Sequence, residues 1–449
     1  MALEDFDRRA LLLGGVLGAG LAASKATAAA HKGGKPAKVS VKPGFLWGTA
    51  GAAYQIEGGN VASDLWVMEH IKPTIFKDPS GDAADAYNRV WDDIALAASL
   101  GFNTHRFSIE WSRIEPEPGQ ISLAAIAYYR RVLETIRAHG MTPFVTYNHF
   151  TTPRWFAAAG GFETRDNIAA FVRYCTIVTQ HLGDLIGVAS TFNEPNLGAL
   201  ISWSPSVRPL RPFIEMSKKA AAQAVGAPNW SPPVLGDFRV QQPIMIEAHE
   251  RAHEAIRKTA NDRFLVGVTL SLNDDRAPAT GPSGVEAKRA QVMLPWVQAQ
   301  GDFIGVQNYT WTEVAPDTDL PTPKGVELSQ MGYPAAPEAL EAVIRTVAQH
   351  TKKPIYVTEN GVATEDDSRR VAFIDKAVPG VMNCLRDGID VRGYIHWSLL
   401  DNWEWFSGYG PKFGLVSVDR TTFKRTPKPS ARHLGAIARK GLPAGLKSR

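Results

Sequence analysis

Short apolar or aromatic runs alternate with amphipathic stretches along this chain, from about residue 36 to residue 443. The runs have the length and composition of buried strands, and the stretches between them have apolar residues near helical spacing. Strands are predicted over residues 45–55, 104–111, 142–150, 188–195, 264–272, 302–310, 354–361 and 391–402. Helices are predicted over residues 84–100, 124–139, 167–181, 244–260, 337–350 and 368–386. Strands that alternate with helices in this way predict an α/β protein with a closed parallel (β/α)8 barrel.

Nothing in residues 36–443 resembles a linker between domains, because the segment has no Ser/Gly-rich stretch, charge block or low-complexity break. We therefore predict a single TIM barrel with long βα loops. The stretch 197–243 has little regular pattern and contains Trp203, Trp230 and many prolines. We expect it to form a lid or wall over the barrel entrance and to determine substrate selectivity. Residues 444–449 are predicted to be a basic C-terminal tail.

The N-terminus has a different pattern from the rest of the chain. Arg8 and Arg9 precede an apolar run over residues 10–23, and small residues follow over 26–30. This order is typical of an export signal, and the arginine pair is typical of the twin-arginine route. The apolar run is short for a bilayer span, so we predict no stable membrane insertion after signal removal, with a retained anchor as the less favoured alternative. Residues 1–30 thus predict a periplasmic or secreted protein.

Composition excludes several classes of protein. The 449 residues are 44% hydrophobic and 21% charged with a net charge of +4, as in ordinary globular proteins. The basic residues are scattered except near the C-terminus, so we predict no nucleic-acid binding. Cys175 and Cys384 lie among apolar neighbours and are predicted to pack in the core rather than to form a disulfide. No pattern in the sequence specifies an oligomeric state.

Polar residues occur at the carboxyl ends of all the predicted strands, where barrel enzymes place their chemistry. They are Gln55, Glu57, Arg106, Glu110, His149, Asn193, Glu194, Asn273, Asp274, Asn308, Tyr309, Glu359, Asn360, Asp401, Asn402 and Glu404. The tryptophans beside them are Trp47, Trp111, Trp397, Trp403 and Trp405. Any single polar position could begin a solvated loop. Together, hydrogen-bonding groups and aromatic faces suit a sugar, whose hydroxyls pair with polar groups and whose C–H face packs on rings.

Two glutamates end short apolar runs, Glu194 in TFNEPN and Glu359 in VTENG. A carboxylate at the end of a buried strand is costly unless it is paired or used, so both positions are candidate sites. Cleavage of a glycosidic bond needs one protonated and one ionised carboxyl group, and a close pair pushes its own pKa values apart. We therefore predict a two-carboxylate glycosidase. A transglycosylase with the same two groups and an inactive sugar-binding barrel are the alternatives.

These motifs resemble those of glycoside hydrolase family 1, the β-glucosidases and their relatives. Residues 45–59, FLWGTAGAAYQIEGG, are similar to the family's N-terminal signature, as are TFNEPN, VTENG and WSLLDNWEW to its later motifs. The resemblance implies a retaining, exo-acting β-glycosidase that hydrolyses β-glycosides without a cofactor. By that resemblance, Glu359 is the nucleophile and Glu194 the acid/base. Arg106 and Tyr309 would hold the nucleophile, and the sugar would be bound by Gln55, His149, Asn193, Trp397, Glu404 and Trp405.

Some positions refine or depart from the resemblance. Glu404 and Trp405 follow the pattern of enzymes for unphosphorylated sugars, which disfavours 6-phosphoglycosides. Gln307 stands where the family has an asparagine, and Phe150 where it has a tryptophan.

One further motif, HERAH over residues 249–253, fits the zinc signature HExxH. Its only plausible third ligand is Glu286. We therefore expect His249 and His253 to pack on a helix, and we predict no metal site.

Overall fold

The computed structural model describes residues 44–446. Its centre is a closed barrel of eight parallel strands, hydrogen-bonded in the order β1-β8-β7-β6-β5-β4-β3-β2. The strands are β1 (Leu46–Ala50), β2 (Thr104–Ser108), β3 (Thr142–Asn148), β4 (Val188–Asn193), β5 (Leu265–Ser271), β6 (Ile304–Asn308), β7 (Ile355–Asn360) and β8 (Val391–Trp397). The predicted (β/α)8 fold is confirmed. Every strand lies inside its predicted run, and most runs extend past the strand into the loop that carries the polar residues.

Helices lie between the barrel strands and in the loops that follow them. The α-helices are Ala53–Ile56, Asp64–His70, Ala86–Leu100, Trp111–Ile114, Leu123–Ala138, Arg154–Ala158, Ile168–Leu182, Leu197–Ser202, Arg211–Val225, Phe238–Ala260, Val285–Val292, Leu294–Gln298, Ala339–His350, Asp367–Arg386 and Pro429–Lys440. Short 3-10 helices cover Gly161–Glu163, Arg165–Asn167, Arg208–Leu210 and Trp405–Ser407. A sheet of Asp274–Arg276, Trp311–Ala315 and Thr318–Asp319 and a hairpin of Val416–Val418 and Arg425–Pro427 complete the loops.

The buried core follows from the two patterns in the sequence, apolar runs in the strands and apolar residues at helical spacing in the helices. Strands β2, β4, β6 and β7 are buried at every residue, because side chains fill the barrel and helices cover it outside. The helix Leu123–Ala138 buries Tyr129, Val132, Leu133 and Ile136, which share one helical face. Burial of each such side chain stabilises the fold by about 1.5–3 kcal/mol.

The little regular pattern in residues 197–243 did not predict the helices that the structure has there. The segment contains the helices Leu197–Ser202 and Arg211–Val225 and the first turns of Phe238–Ala260. Its prolines suggested an irregular loop, but Pro212 is the second residue of its helix, where no backbone N–H is needed. Pro243 also lies inside the first turns of a helix.

Both cysteines are free and buried, in agreement with the predicted packing role. The HERAH segment lies on the helix Phe238–Ala260. The ring of His249 pairs with the Thr191 hydroxyl at 2.7 Å and with the Gln300 carbonyl oxygen at 2.5 Å. These contacts use both of its ring nitrogens and hold the helix against β4, so His249 has the expected packing role.

The segment predicted to be an export signal, residues 1–30, lies outside the described residues, as does the end of the basic tail. Within 44–446, no helix combines the length and hydropathy that crossing a bilayer requires.

Candidate active site

Glu194 and Glu359 lie at the carboxyl ends of β4 and β7, and both are buried, with 9% and 4% of their surfaces exposed. Each follows a shift in strand register. The pairing of β4 with β5 shifts between Ser190 and Asn193, and that of β7 with β6 shifts between Val357 and Glu359. Such irregularities turn side chains at strand ends, and they are common beside active sites.

The backbone of Glu194 is strained. Its φ of 46° lies in the left-handed region that residues other than glycine rarely adopt. Two hydrogen bonds fix this conformation: its N–H donates to the Thr269 carbonyl at 2.8 Å, and its carbonyl accepts from the Leu197 N–H at 2.9 Å. Strain of this kind costs about 1–3 kcal/mol and is often found at functional residues.

Three donors surround the carboxylate of Glu359. Arg106, on β2, donates from Nη1 to Oε1 at 2.5 Å, and Tyr309, directly after β6, donates from its hydroxyl to Oε2 at 2.6 Å. Gln307, on β6, donates from Nε2 to Oε1 at 3.0 Å. Both carboxylate oxygens therefore have partners, and the Arg106 cation, itself 1% exposed, compensates the buried charge.

Asn193 connects the two halves of the site. Its Oδ1 accepts from Arg106 Nη2 at 2.5 Å, from Gln307 Nε2 at 2.8 Å and from Thr269 Oγ1 at 3.2 Å. Because donors occupy its oxygen, the amide has one orientation, and its NH2 group remains to donate to a ligand. The side-chain amide of Asn193 is therefore held with its NH2 group oriented to donate a hydrogen bond near the two glutamates.

The two glutamates hold protons with different strength. Burial, and next to it the negative charge of Glu359, raises the pKa of Glu194 to about 8, although a hydrogen bond from Ser271 opposes the rise. Burial also raises the pKa of Glu359, but Arg106 and the Tyr309 hydroxyl counteract it. Glu194 therefore keeps its proton to a higher pH than Glu359, which suits an acid beside an anion.

The predicted sugar-binding residues form a second cluster beside the glutamates. The Trp397 indole N–H donates to Glu404 Oε1, and Gln55 Nε2 donates to Glu404 Oε2, both at 3.3 Å. The His149 ring stacks near Trp397 and Trp405, with ring centroids 5.7 and 6.0 Å apart. Burial raises the pKa of Glu404 to about 8 and the Glu359 charge adds to the rise, whereas the hydrogen bonds from Trp397 and Gln55 oppose it. The structure thus brings this cluster and the glutamate pair together.

Other polar residues predicted at the carboxyl ends of the strands pair with structural residues and not with the site. Glu57 pairs with Arg113 at 2.7 Å and accepts from Tyr129 at 2.8 Å. Of the tryptophans, Trp47, Trp111 and Trp403 pack inside hydrophobic clusters and offer no free ring face. The predicted set of tryptophans was therefore too broad, because only Trp397, 4% exposed, and the half-buried Trp405 keep more than a trace of exposed surface.

Sequence reasoning missed two residues that lie near the glutamate pair. Gln307 was noted only as a departure from the family, yet it binds both Glu359 and Asn193. Residues two apart on a strand share a face, so its spacing from Tyr309 was the available signal. Tyr333, in the loop after β6, lies near Glu404, Glu194 and Glu359, whose charges add to the burial that raises its pKa. Nothing in its local sequence marks it.

Comparison with known proteins gives the family. The sequence pattern of glycosyl hydrolase family 1 matches residues 38–298 and 301–442. The chain belongs to this family. It is therefore a glycoside hydrolase, as the sequence motifs predicted.

Solved and curated relatives agree with this assignment. A solved β-glucosidase designated 1317 is 71% identical, with a TM-score of 0.89 over 90% of this chain and 100% of that one. The β-glycosidase BGL167 is 47% identical, with a TM-score of 0.83 over 90% and 98% of the two chains. Beta-glucosidase A of Thermotoga maritima is 28% identical over 444 residues, which cover 86% of this chain and 95% of that protein.

Proposed function

We propose that this glycosidase removes terminal, non-reducing β-D-glucosyl units with retention of configuration, through a covalent glycosyl-enzyme intermediate. The observation that carries the proposal is the contrast between the two buried glutamates. Glu359 has a cation and hydroxyl and amide donors around an ionised carboxylate, whereas Glu194 has a pKa raised to about 8. The names of the relatives, β-glucosidases and a β-glycosidase, support glucose as the sugar.

In the first step, Glu359 attacks the anomeric carbon while Glu194 donates its proton to the leaving oxygen. The C–O bond to the leaving group breaks as the bond to the Glu359 oxygen forms. In the second step, the now ionised Glu194 takes a proton from water, and the water oxygen displaces Glu359 from the anomeric carbon. Arg106, Tyr309 and Gln307 hold the attacking carboxylate in place. The Asn193 NH2 group is available to a sugar hydroxyl.

The second cluster supports binding of an unphosphorylated terminal sugar. Glu404 and Gln55 offer acceptors and donors to hydroxyl groups, and Trp397 offers a ring to the sugar's C–H face. The hydrogen bonds found for Glu404 come from neutral groups rather than from a cation. A phosphate placed beside this carboxyl group would gain no compensating charge, which disfavours 6-phosphoglycosides.

Trapping of the intermediate tests the proposal. A 2-deoxy-2-fluoro-β-glucoside with a good leaving group should inactivate the enzyme, and peptide mass spectrometry should find the sugar on Glu359. Proton NMR of hydrolysis of an aryl β-glucoside should show the β-anomer as the first product. Release of the α-anomer first, or a label on Glu194, would contradict the assignment of roles.

We also propose that the protein is exported by the twin-arginine route, on the basis of Arg8, Arg9 and the apolar run 10–23. A fold with two free, buried cysteines needs no oxidising compartment to form, which is consistent with export of a folded protein. Replacement of Arg8 and Arg9 by lysines should keep the protein in the cytoplasm in cell fractionation. Unchanged export of that variant would contradict the proposal.

A further inference from the structure

A groove of about 380 Å³ lies beside the loops that follow β4 and β6. We call it the arginine groove. Its lining includes Trp203, Arg208, Arg211, Phe238, Arg239 and Asp317. The lining thus has three arginines and one acidic residue. Since Arg208 donates to the backbone carbonyl of Asp317 at 2.7 Å, it is held in place by a neutral acceptor.

Two aromatic residues line the groove, the half-buried Phe238 and Trp203, which is 7% exposed. The Trp203 indole N–H donates to Gln291 Oε1 at 2.9 Å, and its carbonyl accepts from the Asp319 N–H at 2.9 Å. Arg239 lies over the Phe238 ring, with its guanidinium carbon 5.2 Å from the centroid, and 3.8 Å from the half-exposed Asp237 carboxylate. The exposed part of the Phe238 ring beside guanidinium groups suits an aromatic ligand that ends in an oxyanion.

The position of the groove relates it to the leaving group. The helix Leu197–Ser202 leads from Glu194 to Trp203, and its first turn closes on the Glu194 carbonyl. Six helical residues rise about 9 Å, so Trp203 lies within about 15 Å of Glu194 along the backbone. Glu194 is assigned the proton donor to the leaving oxygen, and the groove is formed in part by the segment that follows Glu194, which relates it to the leaving group.

We propose that the arginine groove binds an oxyanion on the leaving group, so that favoured substrates are β-glucosides of aromatic alcohols with a carboxylate or similar group at the far end. This inference rests on the proposed function, because it assigns the acid side of the site to Glu194. It names a substrate class that the catalytic residues alone do not specify.

A pair of substrates tests it: the β-glucosides of 4′-hydroxybiphenyl-4-carboxylic acid and of its amide, which have the same shape and differ in charge. Wild-type enzyme should show a higher kcat/KM for the acid, and added salt should reduce the preference. Replacement of Arg208, Arg211 and Arg239 together by glutamine should lower the acid-to-amide ratio about tenfold, since each exposed ion pair contributes about a factor of two to five.

A matched control separates local binding from net charge. Arg263, Arg386 and Arg432 are also exposed, and the first two precede β5 and β8 at the opposite end of the barrel. Their triple replacement by glutamine removes the same charge and should leave the ratio unchanged. Thermal unfolding midpoints verify that both triple variants are folded.

Direct binding keeps the two proposals separable. Calorimetry with the free biphenyl acid should show binding to the wild type and loss of binding in the groove variant. Hydrolysis of the amide without any preference for the acid would contradict oxyanion binding in the arginine groove and would still support the proposed β-glucosidase activity. Arginine-dependent binding of the acid without hydrolysis of either glucoside would contradict the proposed β-glucosidase activity and would still support oxyanion binding in the groove. An acid preference that survives in the groove variant would also overturn the groove.

Discussion

Glu194 and Glu359 are identical side chains at the ends of two strands of one barrel, but their surroundings differ. Around Glu359, β2 and β6 supply a cation and two neutral donors within 3.0 Å. Glu194 has a strained backbone, and its burial and the neighbouring negative charge of Glu359 favour its protonated form. The comparison teaches that the role of each carboxyl group is set by the side chains that other strands of the barrel place around it, not by its own motif.

Removal of the nucleophile should have the largest effect. Glu359→Ala should reduce kcat for every aryl β-glucoside by about 10⁵- to 10⁶-fold, because no other group can form the covalent bond. Initial rates over a series of leaving groups measure it. A loss that disappears with good leaving groups would reverse the roles of the two glutamates.

Removal of the acid should have an effect that depends on the leaving group. Glu194→Ala should lower kcat/KM by about 10²- to 10⁴-fold for alkyl β-glucosides, whose leaving oxygen needs a proton. For 2,4-dinitrophenyl β-glucoside the loss should be far smaller, because that phenolate leaves unprotonated. The slope of log kcat/KM against leaving-group pKa measures the difference. Equal losses on both substrates would remove the functional distinction between the glutamates.

The pH dependence should report the unequal proton affinities. Glu194 must be protonated in the free enzyme, so kcat/KM should fall by about tenfold per pH unit above its pKa of about 8. Glu359 must be ionised, so activity should also fall at low pH. Glu194→Gln cannot ionise and should lose the alkaline decrease.

Glu404 provides the control for that assignment, because burial also raises its pKa to about 8. If the alkaline decrease persists in Glu194→Gln and disappears in Glu404→Gln, the ionisation belongs to the sugar-binding cluster. The pH profile would then no longer support a higher pKa for Glu194 than for Glu359.

Much of the fold could be predicted from the sequence because strands and helices place their apolar residues at different spacings along the chain. The strand positions and the two glutamates followed from apolar runs that end in polar residues. The register shifts before Glu194 and Glu359 could not be predicted, since they depend on pairing with β5 and β6. The helices within 197–243 were missed because a proline in a helix, such as Pro212 or Pro243, and a proline in a loop look alike in a sequence.

Contacts across the barrel were also hidden. Arg106 and Glu359 are far apart in the chain, and the family resemblance, not the pattern, linked them. Gln307 was visible as a substitution, but its contact with Asn193 exists only once β4 and β6 are placed in the barrel. Side chains that act between strands are therefore the part of the site that a sequence pattern leaves open.

Gln307 gives the smallest predicted effect and the sharpest test of what surrounds Glu359. Gln307→Met keeps length and volume but deletes the hydrogen bonds to Glu359 and Asn193. Hydrogen bonds to charged groups contribute about 1.5–3 kcal/mol, so kcat/KM should fall about 10- to 100-fold. Loss of a donor to the carboxylate should also raise the pKa of Glu359 and move the acidic limb of the pH profile upward. Gln241→Met is the matched control, because that buried amide donates to Ser231 and Pro232 instead of a carboxylate. A fall in activity with an unmoved acidic limb would mean that Gln307 acts through packing alone, and that Arg106 and Tyr309 suffice to keep Glu359 ionised.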